Sequence, residues 1–151
     1  MKDAKKYLEE ILENVKQMVL CTCKNNKPWS ATVFFVFDKN LNLYLFSRPA
    51  RRHSKEIIEN PSVSGAIAKE HKDGLGEPSR GVQFEGRCKL VEKSELKDAY
   101  NIYKKRFPQI IKFHPLENAS KELYKIEVNN FVLFDTLIFP NVSRQELKWQ
   151  S

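Results

Sequence analysis

The sequence lacks the short motifs that mark most enzyme active sites. It has no glycine-flanked serine elbow, no phosphate-binding P-loop, no HExxH metal motif and no paired carboxylates at an obvious cleft. The GLG segment at residues 74–76 lacks the later glycine of a dinucleotide fingerprint, and it precedes a predicted strand rather than a helix. An enzyme without its own acid–base set usually takes its chemistry from a cofactor, so a bound cofactor is the expectation here.

Cysteine is also scarce, and no stretch of the sequence approaches the length of a membrane span. The three cysteines are an odd number, and the N-terminal residues lack the uninterrupted apolar core of a secretory signal. We therefore expect a cytoplasmic protein with no membrane partner. Cys21 and Cys23 share one face of a predicted strand and have no second cysteine pair. We interpret them as core residues and predict no metal site.

The composition is that of a globular protein with an excess of positive charge. The 151 residues are 41% hydrophobic and 30% charged, which predicts a single domain spanning residues 1–151. The formal net charge of +7 favours an anionic partner. Many of the lysines lie along predicted helices, where they form solvated faces, so a phosphorylated small molecule is favoured over nucleic acid.

The pattern of apolar residues predicts a mainly β protein with helices. Strands are predicted at residues 17–24, 29–38, 41–47, 63–68, 81–92, 123–128 and 131–139, and helices at 3–15, 55–60, 94–107 and briefly within 109–120. Asparagine-rich turns at 25–28, 39–40 and 129–130 join neighbouring strands as hairpins, and Gly86 predicts a bulge or a close backbone approach. The fold class is therefore α+β, an antiparallel barrel decorated by helices.

A basic segment follows the predicted third strand directly. It contains three arginines within five positions, then a histidine and a serine: Arg48, Arg51, Arg52, His53 and Ser54. Guanidinium groups and the free N–H groups of a helix start both bind phosphate, although a solvated basic loop is the alternative. The cationic neighbours of His53 favour its neutral form. His71 and His114 lie beside loop signals, so we expect them at the surface.

Five segments taken together carry a resemblance to a known family. They are WSATVFFVFD, LNLYLFS, RRHSKEIIENPSVSGAIA, RGVQFEGRCKLVE and AYNIYKKRFP, the last at residues 99–108. Their order and spacing resemble the FMN-binding split barrels related to pyridoxamine 5'-phosphate oxidase. They are most similar to a small bacterial branch of that superfamily, the YhbP-like proteins. The resemblance covers residues 5 to 140 and implies an antiparallel FMN-binding split β-barrel with peripheral helices.

The resemblance also implies a set of cofactor-binding residues. Arg52 and His53, with Arg51 and Ser54, would hold the FMN phosphate. The ring and ribityl chain would be contacted by Ser30, Ala31, Thr32, Val33, Phe46 and Ser47. Gln83 would reach the flavin directly or from a partner subunit. The paired arginine–lysine phosphate grip and the C-terminal arginine-rich clamp of the oxidase itself are not evident, which argues against pyridoxamine phosphate as the substrate.

The resulting hypothesis is a homodimer with flavin sites at the subunit interface, working as an FMN-dependent oxidoreductase on an unknown small molecule. A shared interface would also explain why residues 33–37 are apolar on both faces. A flavin-binding or sensor protein without turnover is one alternative. A basic nucleic-acid-binding barrel is the other, with Trp29, Tyr44 and Phe46 as stacking platforms.

Overall fold

The computed structural model describes residues 3–141 and 144–148 as one mainly antiparallel sheet with peripheral helices. The strands are β1 Gln17–Lys24, β2 Lys27–Phe34, β3 Val36–Phe37, β4 Leu43–Phe46, β5 Ser62–Ala68, β6 Arg80–Leu90, β7 Leu123–Asp135 and β8 Gln145–Lys148. The helices are α1 Ala4–Asn14, α2 Arg52–Glu59, α3 Leu96–Arg106, α4 Ile110–Phe113 and α5 Ala119–Glu122, with a 3-10 turn at Leu116–Asn118. The predicted fold class is confirmed.

The sheet curls into a half-barrel because the continuous segment of β2 and β3 pairs with a different strand at each of its ends. The strand order is β2-β1-β5-β6-β7-β4-β3, with β8 pairing with β7. β2 and β3 are separated only by Phe35, whose N–H donates to the carbonyl of Lys16 at 3.2 Å. β2 pairs with β1 and β3 pairs with β4, both antiparallel. The bend at Phe35 therefore carries the chain from one end of the sheet to the other.

The expectation of one continuous central strand at residues 29–38 is wrong. The segment breaks at Phe35, and most of β2 is exposed, since within the described residues β2 pairs with β1 alone. Trp29 and Phe34 remain 43% and 52% exposed. The apolar character of this segment therefore reflects an uncovered edge of the chain rather than a position in the middle of the sheet.

The predicted turn at residues 129–130 is also wrong. β7 runs unbroken from Leu123 to Asp135 beside β6, with a register shift between Glu85 and Gly86. Asn130 pairs with Glu85 on β6, and Asn129 is the extra residue at the register shift, so the two asparagines form a bulge within the strand rather than a turn. A Cβ at Gly86 would lie 2.3 Å from the carbonyl oxygen of Glu127, which confirms the predicted close approach.

Other turns follow the sequence closely. Asn25 and Asn26 both have positive φ, at 50° and 61°, as the β1–β2 hairpin requires. The next turn places a leucine, Leu41, at φ 62°. The Asp38 carboxylate stabilises this turn by accepting from the backbone N–H groups of Asn40 and Asn42. The polar C-terminal segment, in which the sequence predicts no strand, forms β8, and Trp149 lies outside the described residues.

The core has a large part inside the half-barrel and a smaller part under α3. Helix α1 begins at the predicted N-cap Asp3, and its buried face packs against the inner face of the sheet through Tyr7, Leu8, Ile11 and Leu12. The other face of β4 is covered by α3, whose Tyr100 and Tyr103 pack on Phe46. This explains why β4 is buried on both faces, although its sequence pattern predicts a half-buried strand.

Helices α3 to α5 occupy a single excursion of the chain between two paired strands. The chain leaves β6 after Leu90 and returns to β7 at Leu123, and Leu90 is the register partner of Tyr124. The excursion, residues 91–122, includes the predicted short helical segment at 109–120. It supplies one wall of the pocket described next.

Candidate functional site

A pocket of about 700 Å³ opens between β2 and the start of α2. One wall comes from β2, a second from the end of β4 and the basic turn, and a third from α3 and α4. The residues that line it are Trp29, Ser30, Ala31, Thr32, Val33, Phe34, Phe46, Ser47, Arg48, Arg51, Arg52, His53, Tyr103, Phe113 and His114. Its volume lies within the range of small-molecule and cofactor sites in proteins.

The structure brings most of the predicted site residues together at this pocket. Ser30, Ala31, Thr32, Val33, Phe46, Ser47, Arg51, Arg52 and His53 all line it. Ser54 is fully buried, behind Ser47. Gln83 is not among the lining residues: it is exposed on β6, where Arg144 donates to its Oε1 at 2.9 Å. Within one chain, therefore, Gln83 belongs to a different surface.

The basic turn places a helix start at the pocket. The N-cap of α2 is Arg51, which is extended and whose side chain does not cap the helix. The N–H groups of the first turn are therefore not satisfied by a capping side chain, and they give this end of the pocket a positive potential. The helix ends before Pro61, and Asn60 is extended at φ −135°, as the sequence predicts.

A buried hydrogen-bonded network forms the floor behind the basic turn. Ser47 Oγ lies 2.7 Å from both His53 Nε2 and Ser54 Oγ. Burial lowers the pKa of His53, the positive charge of Arg51 lowers it further, and Glu56 opposes the shift. The lowered pKa of His53 agrees with the neutral imidazole expected from the sequence, with burial contributing more than the neighbouring cation. His53 therefore holds the turn through a hydrogen bond rather than through charge.

Arg52 is held in position by two neighbours. Its Nε donates to Glu56 Oε2 at 2.8 Å, and its guanidinium carbon lies 4.1 Å from the ring centre of Trp29. Glu56 is buried and also accepts from Thr22 Oγ1 at 3.2 Å. The hydrogen bond from Arg52 lowers the pKa of Glu56, against the opposing effect of burial. Arg52 is thus pre-oriented at the pocket, with about half of its side chain exposed.

Arg48 and Arg51 are exposed at the same end of the pocket. Within residues 3–141 and 144–148, neither side chain is paired with a carboxylate. They leave net positive charge at this end, because Glu56 compensates Arg52 alone. An anionic group bound here would meet two guanidinium groups free to bind it.

The opposite wall was missed by sequence reasoning. The imidazole of His114 stacks on Phe46 with ring centres 4.9 Å apart, and His114 Nδ1 lies 2.7 Å from Glu122 Oε2. The side chain of His114 is only 18% exposed, so the expectation of a surface histidine is wrong. Phe34, Tyr103 and Phe113 were also missed, whereas Arg48 was predicted as part of the basic segment but not among the FMN-binding residues. The excursion folds back onto β4, which no local pattern around His114 signals.

The cysteines and other candidate metal ligands do not contribute to this pocket. Cys21 and Cys23 are half-buried on the outer face of β1, opposite the buried Met18 and Leu20, so the core interpretation is wrong for this pair. In the part of the chain that the structure describes, no three His, Cys, Asp or Glu side chains are grouped to hold a metal ion. None of the helices in that part is long and apolar enough to cross a membrane.

The curled antiparallel sheet, the bent β2–β3 segment and the basic pocket define a split barrel. The sequence matches the pyridoxamine 5'-phosphate oxidase family over residues 4–132, and the chain belongs to this family. A UPF0306 protein of Yersinia pestis is 29% identical over 102 residues, which are 67% of this chain and 68% of that protein. The earlier resemblance to the family is thereby confirmed.

Solved structures share the fold at low sequence identity. A heme binding protein from Mycobacterium smegmatis superposes with a TM-score of 0.79 at 15% identity, covering 98% of this chain and 59% of that one. An FAD-binding protein from Mesorhizobium loti superposes with a TM-score of 0.67 at 17% identity, covering 86% and 92%. Proteins of this fold thus hold different cofactors, and the fold alone does not choose between them.

Proposed function

We propose that this protein binds FMN in the pocket between β2 and α2 and uses it as an oxidoreductase acting on a small molecule. The observation that carries the proposal is the pocket itself. It combines a cofactor-sized volume, a basic end at the start of α2 and a wall of β2 backbone, in a chain of the pyridoxamine 5'-phosphate oxidase family. Each feature matches one part of the FMN molecule.

The basic end fits the phosphate. Arg48 and Arg51 offer guanidinium groups without carboxylate partners among the described residues, and Arg52 is held ready by Glu56 and Trp29. The first-turn N–H groups of α2 add neutral donors. Ser47 and His53 form a hydrogen-bonded floor behind them. A bound phosphate would therefore receive charge-assisted hydrogen bonds without reorganisation of the helix start.

The remaining walls fit a flat ring system. Residues 30–33 present the extended backbone and short side chains of β2, and Phe46 ends β4 on the adjacent wall. When bound, FMN supplies hydride or electron transfer at its ring. The protein's own part is to anchor the phosphate, orient the ring along β2 and leave space for a substrate beside Tyr103 and Phe113.

A second copy of the chain would complete the site. β2 is exposed along most of its length: Phe34 and its β1 neighbour Val19 are 52% and 39% exposed on one face, and Trp29 is 43% exposed on the other. An apolar surface of this kind favours burial against a partner. A homodimer interface here would cover the pocket, and Gln83, which lies on another face of the same chain, would reach the flavin only from the partner subunit.

The dimer is tested by light scattering at micromolar concentration with FMN present. We expect twice the mass of the chain, because an interface that covers β2 removes its exposed aromatic surface from water. A monomer under these conditions would contradict the interfacial site. Phe34→Lys should shift the mass towards the monomer, and Ile58→Lys, a change at an exposed apolar residue of α2, serves as the matched control.

Flavin binding is tested by titrating the purified protein with FMN and following flavin fluorescence and thermal unfolding. At a hundredfold the dissociation constant, the ligand should stabilise the folded state by about 2.7 kcal/mol. A parallel titration with haem separates the two cofactors held by proteins of this fold. Binding of haem but not FMN, or of neither, would contradict the proposal.

Turnover separates an oxidoreductase from a flavin-binding sensor. The flavin absorbance band should bleach with a nicotinamide donor and return when an acceptor such as a quinone is added. A flavin that binds but is neither reduced nor reoxidised catalytically would support the sensor alternative. The nucleic-acid alternative predicts that the protein binds single-stranded oligonucleotides with an affinity that falls as the salt concentration rises. Saturating FMN leaves this affinity unchanged if the oligonucleotide and FMN bind at different sites.

A further inference from the structure

The wall of the pocket formed by residues 103–114 carries an ionisable pair that the flavin anchor does not use. His114 Nδ1 lies 2.7 Å from Glu122 Oε2, and both side chains are largely buried, at 18% and 13% exposure. The stack on Phe46 fixes the plane of the imidazole, and the hydroxyl of Tyr100 donates to the carbonyl of His114 at 3.0 Å. The histidine is therefore held in one orientation at the pocket wall.

This orientation decides which ring nitrogen can meet a bound molecule. A carboxylate only accepts, so the Glu122 contact places a proton on His114 Nδ1. In the neutral ring Nε2 is then the acceptor, and it has no hydrogen-bond partner among the described residues in a side chain that lines the pocket.

The surroundings indicate what kind of molecule would bind there. Phe113 and Phe34 both line the pocket and are 62% and 52% exposed, so they offer flat apolar surface. Arg48, Arg51 and Arg52 face the pocket from the other wall, and His53 beside them is neutral. An anion formed in the pocket would therefore be stabilised by positive charge, with Glu122 behind the imidazole as the opposing group.

We propose that this wall is a subsite for an aromatic molecule with an acidic hydroxyl group, and that His114 exchanges a proton with that hydroxyl. The O–H bond of the ligand breaks as the Nε2–H bond forms, which leaves an aryl oxide beside an imidazolium whose charge Glu122 balances. Glu122 is a positioning residue and His114 touches the ligand. The subsite is the substrate end of the function proposed above, but the proton exchange itself needs no flavin.

The probe is 4-nitrophenol, whose ionised form has its own absorbance band. It is titrated against pH with the full-length protein, both alone and with FMN bound. We expect bound 4-nitrophenol to ionise about tenfold more readily than the free molecule, as a neighbouring cation causes. His114→Gln should remove most of this gain, and Glu122→Gln should reduce it. His71→Gln, at an exposed histidine outside the pocket, should leave it unchanged.

Imidazole nitrogen NMR distinguishes a ligand-contacting role of His114 from a purely structural one. Wild type should show a protonated Nδ1 and an unprotonated Nε2 whose signal moves when 4-nitrophenol is added. If 4-nitrophenol does not bind, or if it ionises equally well with His114→Gln, the subsite is overturned. Enhanced ionisation in the absence of any FMN binding would support the subsite and overturn the flavin function, so the two failures are distinguishable.

Discussion

Two arginine–carboxylate pairs in this protein share one geometry and a buried carboxylate, and they differ in what else the carboxylate holds and in how open the arginine is. Arg80 Nε donates to Asp135 Oδ2 at 2.8 Å, and Arg52 Nε donates to Glu56 Oε2 at 2.8 Å. The first pair lies at the end of β7, beneath α1. The second lies at the pocket, on the first turns of α2.

The surroundings give the two pairs different roles. Asp135 is fully buried and also accepts from the hydroxyl of Tyr7 and from the N–H groups of Leu137 and Ile138. Its acceptor sites are filled by the chain itself, so this pair fastens α1 to the sheet. The guanidinium of Arg52, in contrast, keeps about half of its surface open beside Trp29. Polar groups saturated by the chain hold the fold, and those left open at a cavity are available to a ligand.

The largest effect is expected when the Arg80–Asp135 pair is broken; we call it the closed pair, because the chain itself fills the acceptor sites of its carboxylate. Asp135→Ala leaves the guanidinium of Arg80, the hydroxyl of Tyr7 and two N–H groups without their acceptor. Breaking a buried ion pair costs on the order of 3–5 kcal/mol of unfolding free energy. Urea denaturation should show this loss, and Asp73→Ala, in the exposed 71–80 loop, should show little change. A loss below about 1 kcal/mol would remove the structural role assigned to the closed pair.

Breaking the Arg52–Glu56 pair, whose arginine is open to the pocket, should affect ligand binding more than folding. Arg52→Ala should weaken FMN binding by about 1.5–3 kcal/mol, the range of a charge-assisted hydrogen bond, while riboflavin, which lacks the phosphate, should barely respond. Lys55→Ala, on the same helix but outside the pocket lining, is the matched control. Dissociation constants for both flavins are compared at one salt concentration. Equal losses for the two would mean that Arg52 acts by holding Trp29 and Glu56 rather than by binding the phosphate.

Much of the fold and the basic end of the pocket could be predicted from the sequence because the signals for them are local, whereas neither ion pair was predicted. Apolar alternation predicts most strands, Asn25 and Asn26 predict their hairpin, and the arginine cluster after β4 predicts the basic end of the pocket. The turn expected at residues 129–130 failed because a neighbouring strand, absent from any local window, kept those residues within β7. The position of His114 at the pocket was not predicted for the same reason, because residues 91–122 contact β4 only in the folded chain.

Acid should weaken the Arg80–Asp135 pair. Burial alone would raise the pKa of Asp135, but the hydrogen bonds from Arg80, Tyr7 and two backbone N–H groups outweigh it, so the pKa is lowered. A carboxyl whose folded pKa lies below its unfolded value adds stability above the unfolded value, near pH 4, and loses it as the pH falls through the folded value. Wild type should therefore lose unfolding free energy below pH 4 more steeply than Asp135→Asn. Parallel curves for the two would contradict this assignment.

The smallest effect should come from the aromatic platform under Arg52. Trp29→Leu removes the ring that faces the guanidinium at 4.1 Å and should weaken FMN binding by about 0.5–1 kcal/mol, the size of a cation–π contact at an exposed site. Fluorescence titration of Trp29→Leu and of the double variant with Arg52→Ala gives the coupling between the two residues. Fully additive losses would show that Trp29 contacts the flavin independently of Arg52.

The placement of α3 to α5 bears on how such proteins diversify. Residues 91–122 leave and re-enter the sheet at neighbouring positions, because Leu90 and Tyr124 are register partners. A stretch with this topology can be lengthened, shortened or exchanged in evolution while every strand pairing is retained. The basic end of the pocket is formed by residues of β2, β4 and α2, whereas Tyr103, Phe113 and His114 all belong to residues 91–122. Proteins descended from one ancestral barrel could thus keep the basic end of the pocket and change the opposite wall by replacing one contiguous segment.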